Sequence, residues 1–285
     1  MKLSPRSGIL GHRGLWTAGA GQIIVLLLFV GLVALIAPSL PITLSGSGLI
    51  LAGIILALVP ALVWLAFFYQ QDRLEPEPKG YIARVGLLGA LLAAGVGIPL
   101  VRDFFRVGDW LYADDLTHLL GSILVIGFIQ EFLKYAAVRY SVYGSAEFDE
   151  RVDGVIYATA AGVGFATMLN LDYVVSRGGV DLGIGAIRVT ITALAHASIA
   201  GIMGYFLGQA KFEHTPPYYL PGGLALAAVL NGLFFWAQDL VTLRGITVNP
   251  WYGLVLAIVI AIIVLGIVFW LIRRANAETL ALAGR

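Results

Sequence analysis

The chain has 285 residues, of which 59% are hydrophobic and only 12% are charged, and its formal net charge is +1. Soluble domains carry about 25% charged residues, so this composition excludes an ordinary soluble enzyme and a disordered protein and predicts a protein embedded in a bilayer. The small net charge argues against nucleic acid as a partner, and the absence of cysteine excludes thiolate catalysis and cysteine-based metal sites.

Eight apolar segments follow one another along the chain, each close to the roughly 20 residues that cross a bilayer as a helix. They cover residues 22–40, 48–69, 82–101, 119–138, 154–175, 186–209, 221–241 and 251–272. We therefore predict an all-α polytopic membrane protein with about eight transmembrane helices. An even number of spans places the amino and carboxyl ends on the same side of the membrane.

The lysines and arginines predict the orientation. Twelve of them fall on the side of the two termini, and the opposite side holds five: Arg102, Arg106, Arg177, Arg188 and Arg244. Because cytoplasmic segments carry the excess of basic residues, we expect an integral protein of the cell membrane with both termini in the cytoplasm.

The same pattern predicts how the chain is organised. In order, we expect a cytoplasmic amino-terminal segment (1–21), three peripheral transmembrane helices (22–101), an interfacial outer loop (102–118), a four-helix core with the polar site (119–241), a last transmembrane helix (251–272) and a cytoplasmic tail (273–285).

Strongly polar side chains concentrate in the four spans between 119 and 241. These spans contain, in chain order, Gln130, Glu131 and Lys134, then Asn170, then His196, then Asn231. A polar group at bilayer depth is costly, so it normally faces the interior of the bundle and marks a functional site. The sequence therefore predicts one polar site inside this four-helix core.

Helical spacing indicates which side chains meet. Glu131 and Lys134 are three residues apart, within ion-pair reach on one helix face, and Glu131 lies at a depth similar to that of His196, so these side chains can meet. Small residues recur every fourth position in two stripes, which lets helices approach closely. The stripes are Gly154, Ala158, Gly162, Ala166 and Asn170, and Thr192, His196, Ala200, Gly204 and Gly208.

Each candidate also has a purely structural interpretation. Glu131 and Lys134 can form a structural ion pair, His196 can be a hydrogen-bonded packing residue, and Asn170 and Asn231 can be interhelical hydrogen-bond donors. Four further polar residues are expected at the ends of spans or at the periphery of the bundle: His118, Asp172, Arg188 and Asp239.

Among intramembrane hydrolases, several sites are excluded by their motifs. The chain has no helix-opening Gly-x-Ser-Gly with a partner, no Gly-x-Gly-Asp and no His-Glu-x-x-His zinc motif. A Glu–His–Asn set spread over consecutive spans remains. In such a set a carboxylate can activate water as a general base, while an imidazole or amide stabilises the oxyanion.

Several strings of residues in the segment 72–235 carry a family resemblance. They are Asp72-Arg73-Leu74-Glu75-Pro76-Glu77-Pro78, Gln130-Glu131-Phe132-Leu133-Lys134, Asp153-Gly154-Val155-Ile156-Tyr157, Gly162-Val163-Gly164-Phe165 running on to Leu169-Asn170, His196 with Gly204-Tyr205, and Asn231-Gly232-Leu233-Phe234-Phe235. In order they resemble an acidic loop with prolines, E-E-x-x-K, D-G-x-x-Y-G, G-x-G-F-x-x-x-E-N, a third-motif histidine and H-G-x-x-N. This is the pattern of the PrsW family of intramembrane peptidases, relatives of the CAAX prenyl-peptidase fold.

The resemblance implies a PrsW-like bundle and an intramembrane endopeptidase that cleaves a single-span membrane protein, such as an anti-sigma factor, in regulated proteolysis. It implies Glu131 as the general base, His196 as the oxyanion stabiliser or a metal ligand, and Asn170 as a positioning amide. Lys134, Gln130 and Asn231 are implied as substrate-binding or supporting residues. A divalent metal such as zinc stays open as a cofactor.

Four positions depart from the family pattern. Gln130 replaces the first glutamate of the pattern, and Leu169 replaces the glutamate before Asn170. Asn231 is present where the pattern has a histidine, and Phe235 where it has an asparagine. These departures leave reduced or lost activity open. The alternatives are a non-catalytic pseudopeptidase that binds membrane helices, and a transporter or channel, against which the lack of paired broken helices and an inverted repeat argues.

Overall fold

We describe the fold from a computed structural model, which defines residues 7–39, 46–71, 78–242 and 249–283. Within these ranges eight helical segments are long and apolar enough to cross a membrane, and no strand is present. The prediction of an all-α polytopic membrane protein with eight spans is confirmed.

The described residues form ten α-helices, which together with three π-helical turns make up the spans. Their bounds are α1 Ser7–Ile36, α2 Ser47–Gln71, α3 Lys79–Leu92, α4 Val107–Trp110, α5 Asp115–Gly121, α6 Phe128–Arg139, α7 Arg151–Ser176, α8 Leu182–Phe212, α9 Tyr219–Thr242 and α10 Pro250–Ala283. Wider π-helical turns over Ala93–Gly97 and Leu100–Phe104 continue α3, and another over Ser122–Gly127 joins α5 to α6. The third span therefore runs over Lys79–Trp110 and the fourth over Asp115–Arg139.

The segment 102–118, expected to be an interfacial loop, contains the end of the third span, α4 and the start of α5. Arg106, the N-cap of α4, has a left-handed φ of 47° and turns the chain between the π-helical turn that ends at Phe104 and α4. Asp114 then begins α5 as its N-cap, because its carboxylate accepts hydrogen bonds from the Thr117 amide at 2.9 Å and the Thr117 hydroxyl at 2.6 Å.

The centre of the bundle is the pair α7 and α8. The most apolar window of α8 is 83% buried and that of α7 is 67% buried, against 22–28% for α1, α2 and α3. A helix that is apolar on nearly every side fits only where other helices surround it, which is the position α8 occupies.

The two predicted stripes of small residues form the contact between α7 and α8. A Cβ added at Gly154 would lie 2.2 Å from the Gly204 carbonyl oxygen, and one added at Gly204 would lie 2.2 Å from the Gly154 carbonyl oxygen. A Cβ at Gly162 would meet the His196 carbonyl oxygen at 2.4 Å. The backbones touch without side chains between them, and this contact fixes the position of His196 relative to α7.

The acidic, proline-containing string falls largely outside the described residues, since 72–77 belong to a gap and only Pro78, the N-cap of α3, is described. In the segments expected to be terminal tails, α1 begins at Ser7 and α10 continues to Ala283. Residues 1–6 and 284–285 lie outside the described ranges.

Candidate active site

Helix α6 contributes a buried ion pair to the core. Glu131 and Lys134 lie one turn apart on the same face, and their residues are 0% and 2% exposed. The Lys134 ammonium donates a hydrogen bond to Glu131 Oε1. The ion pair expected from the spacing is therefore present. Because both side chains are fully buried, removing either one would leave the other charge in the core without a counter-ion.

His196 on α8 joins this pair through the lysine. Lys134 Nζ lies 3.2 Å from His196 Nδ1, and the imidazole packs on the Phe165 ring with 5.7 Å between ring centroids. An ammonium can only donate, so Nδ1 must be the acceptor, and the imidazole proton is then on Nε2. The lysine thus bridges the carboxylate and the imidazole and selects the histidine tautomer.

Asn231 on α9 completes the cluster. Its Nδ2 donates to Glu131 Oε1 at 2.8 Å and to Gln130 Oε1 at 3.0 Å. Two of the positions that depart from the family pattern, Gln130 and Asn231, therefore contact each other directly. The amide and the lysine both hold the same oxygen of Glu131.

The second carboxylate oxygen, Glu131 Oε2, is buried and has no hydrogen-bond partner within the described part of the chain. Glu131 is 0% exposed, and the centroid of the Phe165 ring lies 5.9 Å from the Nζ of its partner Lys134. An unpaired carboxylate oxygen in such surroundings is costly. A group that donates a proton to Oε2 would remove this cost.

Asn170 lies elsewhere in the interior. It is 2% exposed, and its Nδ2 donates to the Val189 carbonyl oxygen at 3.2 Å. Val189 precedes His196 by seven residues, about 10 Å along α8. This hydrogen bond ties α7 to α8, and a catalytic role for Asn170 stays a prediction.

The donor set does not fit a resident metal ion. Catalytic zinc sites use three protein ligands, and among the described residues no three His, Asp or Glu side chains converge. Glu131 and His196 offer two, and the Lys134 ammonium already lies between them, within 3.2 Å of the imidazole nitrogen. The Lys134 ammonium therefore occupies the position between Glu131 and His196 where a metal ion bound by both would lie.

A second buried polar cluster lies where the sequence indicated only periphery. His118 is fully buried, with Nε2 3.2 Å from Asp239 Oδ2, and the Tyr112 hydroxyl donates to the same oxygen at 2.7 Å. The expectation that His118 is peripheral was wrong, since its side chain is fully buried, whereas Asp239 does lie near the end of its span, three residues before the end of α9. Charged residues make 102–118 resemble an exposed loop, but α5 folds against the end of α9 and buries both side chains.

Comparisons with known proteins agree with this architecture. The model of the PrsW family intramembrane metalloprotease matches residues 77–267. Protease PrsW of Halalkalibacterium halodurans is 33% identical over 179 residues, which are 62% of this chain and 79% of that protein. Protease PrsW of Geobacillus kaustophilus is 31% identical over 62% of this chain and 75% of its own length, and that of Oceanobacillus iheyensis is 28% identical over 78% and 95%. No solved structure matches the chain.

Proposed function

The chain belongs to the PrsW family of intramembrane metalloproteases, and from this membership we propose that it is an endopeptidase that cleaves a single-span membrane protein. The observation that carries the proposal is the buried Glu131 carboxylate, which has one oxygen held by Lys134 and Asn231 and the other unpartnered among the described residues. A carboxylate held in this way is oriented to take a proton.

In the proposed reaction Glu131 is the general base. Its Oε2 accepts a proton from a water molecule as the water oxygen attacks the carbonyl carbon of the scissile peptide. The same proton then passes to the amide nitrogen as the C–N bond breaks, so that the products are a carboxylic acid, which keeps the second proton of the water, and an amine. The lysine and the asparagine keep Oε1 fixed throughout.

His196 then acts as a hydrogen-bond donor to the oxyanion. With Nδ1 facing the Lys134 ammonium, Nε2 carries the proton that a developing negative charge would accept. This geometry favours oxyanion stabilisation over base catalysis for the histidine. Lys134 is a positioning residue for both groups, Gln130 and Asn231 support the carboxylate, and we keep Asn170 as a proposed positioning amide.

A pseudopeptidase is the second candidate, and one observation favours it. The Gln130 and Asn231 side chains form an amide pair where the family pattern has a glutamate and a histidine, so a single carboxylate is left at the site. If catalysis requires both glutamates, the same bundle binds a membrane helix and does not cut it.

The distribution of lysine and arginine supports a cell-membrane location with both termini in the cytoplasm.

The deciding experiment compares protein N-termini in membrane fractions of the native host. We would compare wild type, Glu131→Gln, His196→Ala and, as a matched control, Thr190→Val, which removes a buried hydroxyl on α8 that has no described partner. We expect termini within or beside a single-span helix in wild type and Thr190→Val, and a loss of about 100-fold or more in Glu131→Gln. Identical terminus sets in all four strains at equal expression would reject proteolysis and leave the pseudopeptidase.

A further inference from the structure

Two arginines share one tyrosine at the end of the bundle where α7 leads into α8. The guanidinium carbon of Arg188 lies 3.7 Å from the centroid of the Tyr173 ring, and that of Arg177 lies 4.6 Å from the same centroid. The two distances add to 8.3 Å, which is the largest separation the two guanidinium carbons can have. Two positive charges are therefore held close together beside one aromatic ring.

No carboxylate of the described residues forms an ion pair with either of them. The other described arginines at this end are paired, Arg102 with Asp103 and Asp172, and Arg106 with Asp109. The Asp239 carboxylate acts on Arg188 electrostatically but is hydrogen-bonded to Tyr112 and His118.

The Nε of Arg188 is buried and has no hydrogen-bond partner among these residues. Like charges at this distance repel in a medium of low dielectric constant, and a buried donor requires an acceptor. An anion in contact with both guanidinium groups would offset this repulsion and accept a hydrogen bond from Arg188 Nε.

The position of the pair indicates which anion is at hand. Arg177 is the C-cap of α7, and Arg188 lies six residues into α8, about 9 Å along its axis. A 31-residue helix is about 46 Å long against a hydrocarbon core of about 30 Å, so both arginines lie near the level of the lipid phosphates. Val175 and Ile184 beside them are 57% and 52% exposed, so the pair borders the lipid-facing surface.

We propose that Arg177, Arg188 and Tyr173 form a binding site for the phosphate of an anionic phospholipid. Guanidinium groups match phosphate oxygens with paired hydrogen bonds, and arginine and tyrosine are typical of the membrane interface. A phosphate within reach of both guanidinium groups supplies a negative charge and an acceptor for Arg188 Nε. The bound lipid ties the end of α7 to the start of α8, the two helices that carry Asn170 and His196.

The test measures lipid binding to the purified full-length protein by native mass spectrometry, a readout that does not depend on proteolysis, and the N-termini in the native host are compared for the same variants as a second measurement. Phosphatidylglycerol and phosphatidylcholine are titrated separately into wild type, Arg188→Gln, Arg177→Gln and Arg106→Gln. We expect wild type to bind one phosphatidylglycerol in preference to phosphatidylcholine, and each of the first two variants to raise its Kd about fivefold. Arg106→Gln is the matched control, since its guanidinium at the same end is already paired with Asp109, and its Kd should stay that of wild type.

Three outcomes would overturn the proposal. Equal phosphatidylglycerol affinity in wild type, Arg177→Gln and Arg188→Gln would reject the site, and because the Arg177 side chain is exposed, its replacement leaves the fold intact. Full competition by millimolar inorganic phosphate would assign the arginines to a free anion. Unchanged lipid binding together with an altered set of cleaved termini would assign them to an acidic side chain of the substrate.

Discussion

Lys134 connects the two titratable groups of the candidate site, because one ammonium contacts both the Glu131 carboxylate and the His196 imidazole. A fully buried lysine and a fully buried glutamate are tolerated only as a pair, since either charge alone would face apolar side chains. The geometry of the candidate site and the stability of the core therefore depend on the same hydrogen bonds.

We expect Lys134→Met to lower the free energy of unfolding by about 3–5 kcal/mol, because it leaves the Glu131 carboxylate buried without a cation. The double variant Glu131→Gln with Lys134→Met removes both charges and should recover much of this loss. Thermal unfolding in detergent measures both effects. Unfolding of the single variant at the wild-type temperature would contradict a buried, ionised pair.

Gln130 and Asn231 are expected to behave as one unit, because the hydrogen bond between them joins two positions that both depart from the family pattern. Gln130→Glu alone places a second carboxylate beside Glu131 without a new positive charge and should destabilise the protein. Adding Asn231→His supplies a group that can take up a proton. A double-mutant cycle should give a coupling energy of about 0.5–3 kcal/mol, and additive effects would show that the two positions are independent.

At the scale of secondary-structure elements, the contact between α7 and α8 relies on the absence of side chains. Gly204→Ala would place its Cβ 2.2 Å from the Gly154 carbonyl oxygen, so the helices must separate. We expect a cost of about 1–3 kcal/mol in thermal unfolding. Gly80→Ala is the matched control, because nothing lies within 4 Å of a Cβ there, and it should be neutral or slightly stabilising. Equal effects of the two substitutions would argue against the close contact.

The start of α5 is expected to depend on pH. Hydrogen bonds from the Thr117 hydroxyl and amide lower the pKa of the exposed Asp114 carboxyl below its ordinary value. This stabilisation is fully present above the ordinary pKa, about 3.9, and is lost as the pH falls through the lowered folded-state pKa. Hydrogen exchange at the Thr117 amide, corrected for its intrinsic rate, should accelerate over that range. Asp114→Asn, which caps without titrating, should show no such transition.

At the scale of the whole molecule, the eight spans place the α6–α7 loop and the α7–α8 loop on opposite sides of the membrane. The chain has no cysteine, so single-cysteine variants report directly on sidedness. With both termini in the cytoplasm, an impermeant maleimide should label Ser176→Cys in intact cells and label Ala146→Cys only after lysis; both positions are exposed. The reverse pattern would invert the proposed orientation.

The sequence by itself determined the features that depend on local periodicity. Runs of apolar residues define the eight spans, the spacing of three residues defines the pairing of Glu131 with Lys134, and small residues at every fourth position define the faces through which α7 and α8 touch. Each of these follows from the geometry of a single helix, because 3.6 residues per turn decide which side chains share a face.

Only the tertiary structure decided which helices are neighbours and how each is rotated. It brings His196 to Lys134 across 62 residues and Asn231 to Glu131 across 100 residues, gives Asn170 a backbone partner on α8 away from the cluster, and buries His118 against Asp239. The physical reason is that a periodic pattern fixes the polar face of a helix but carries no information about its partner. Partners and rotations follow from close packing of backbones and side chains throughout the bundle.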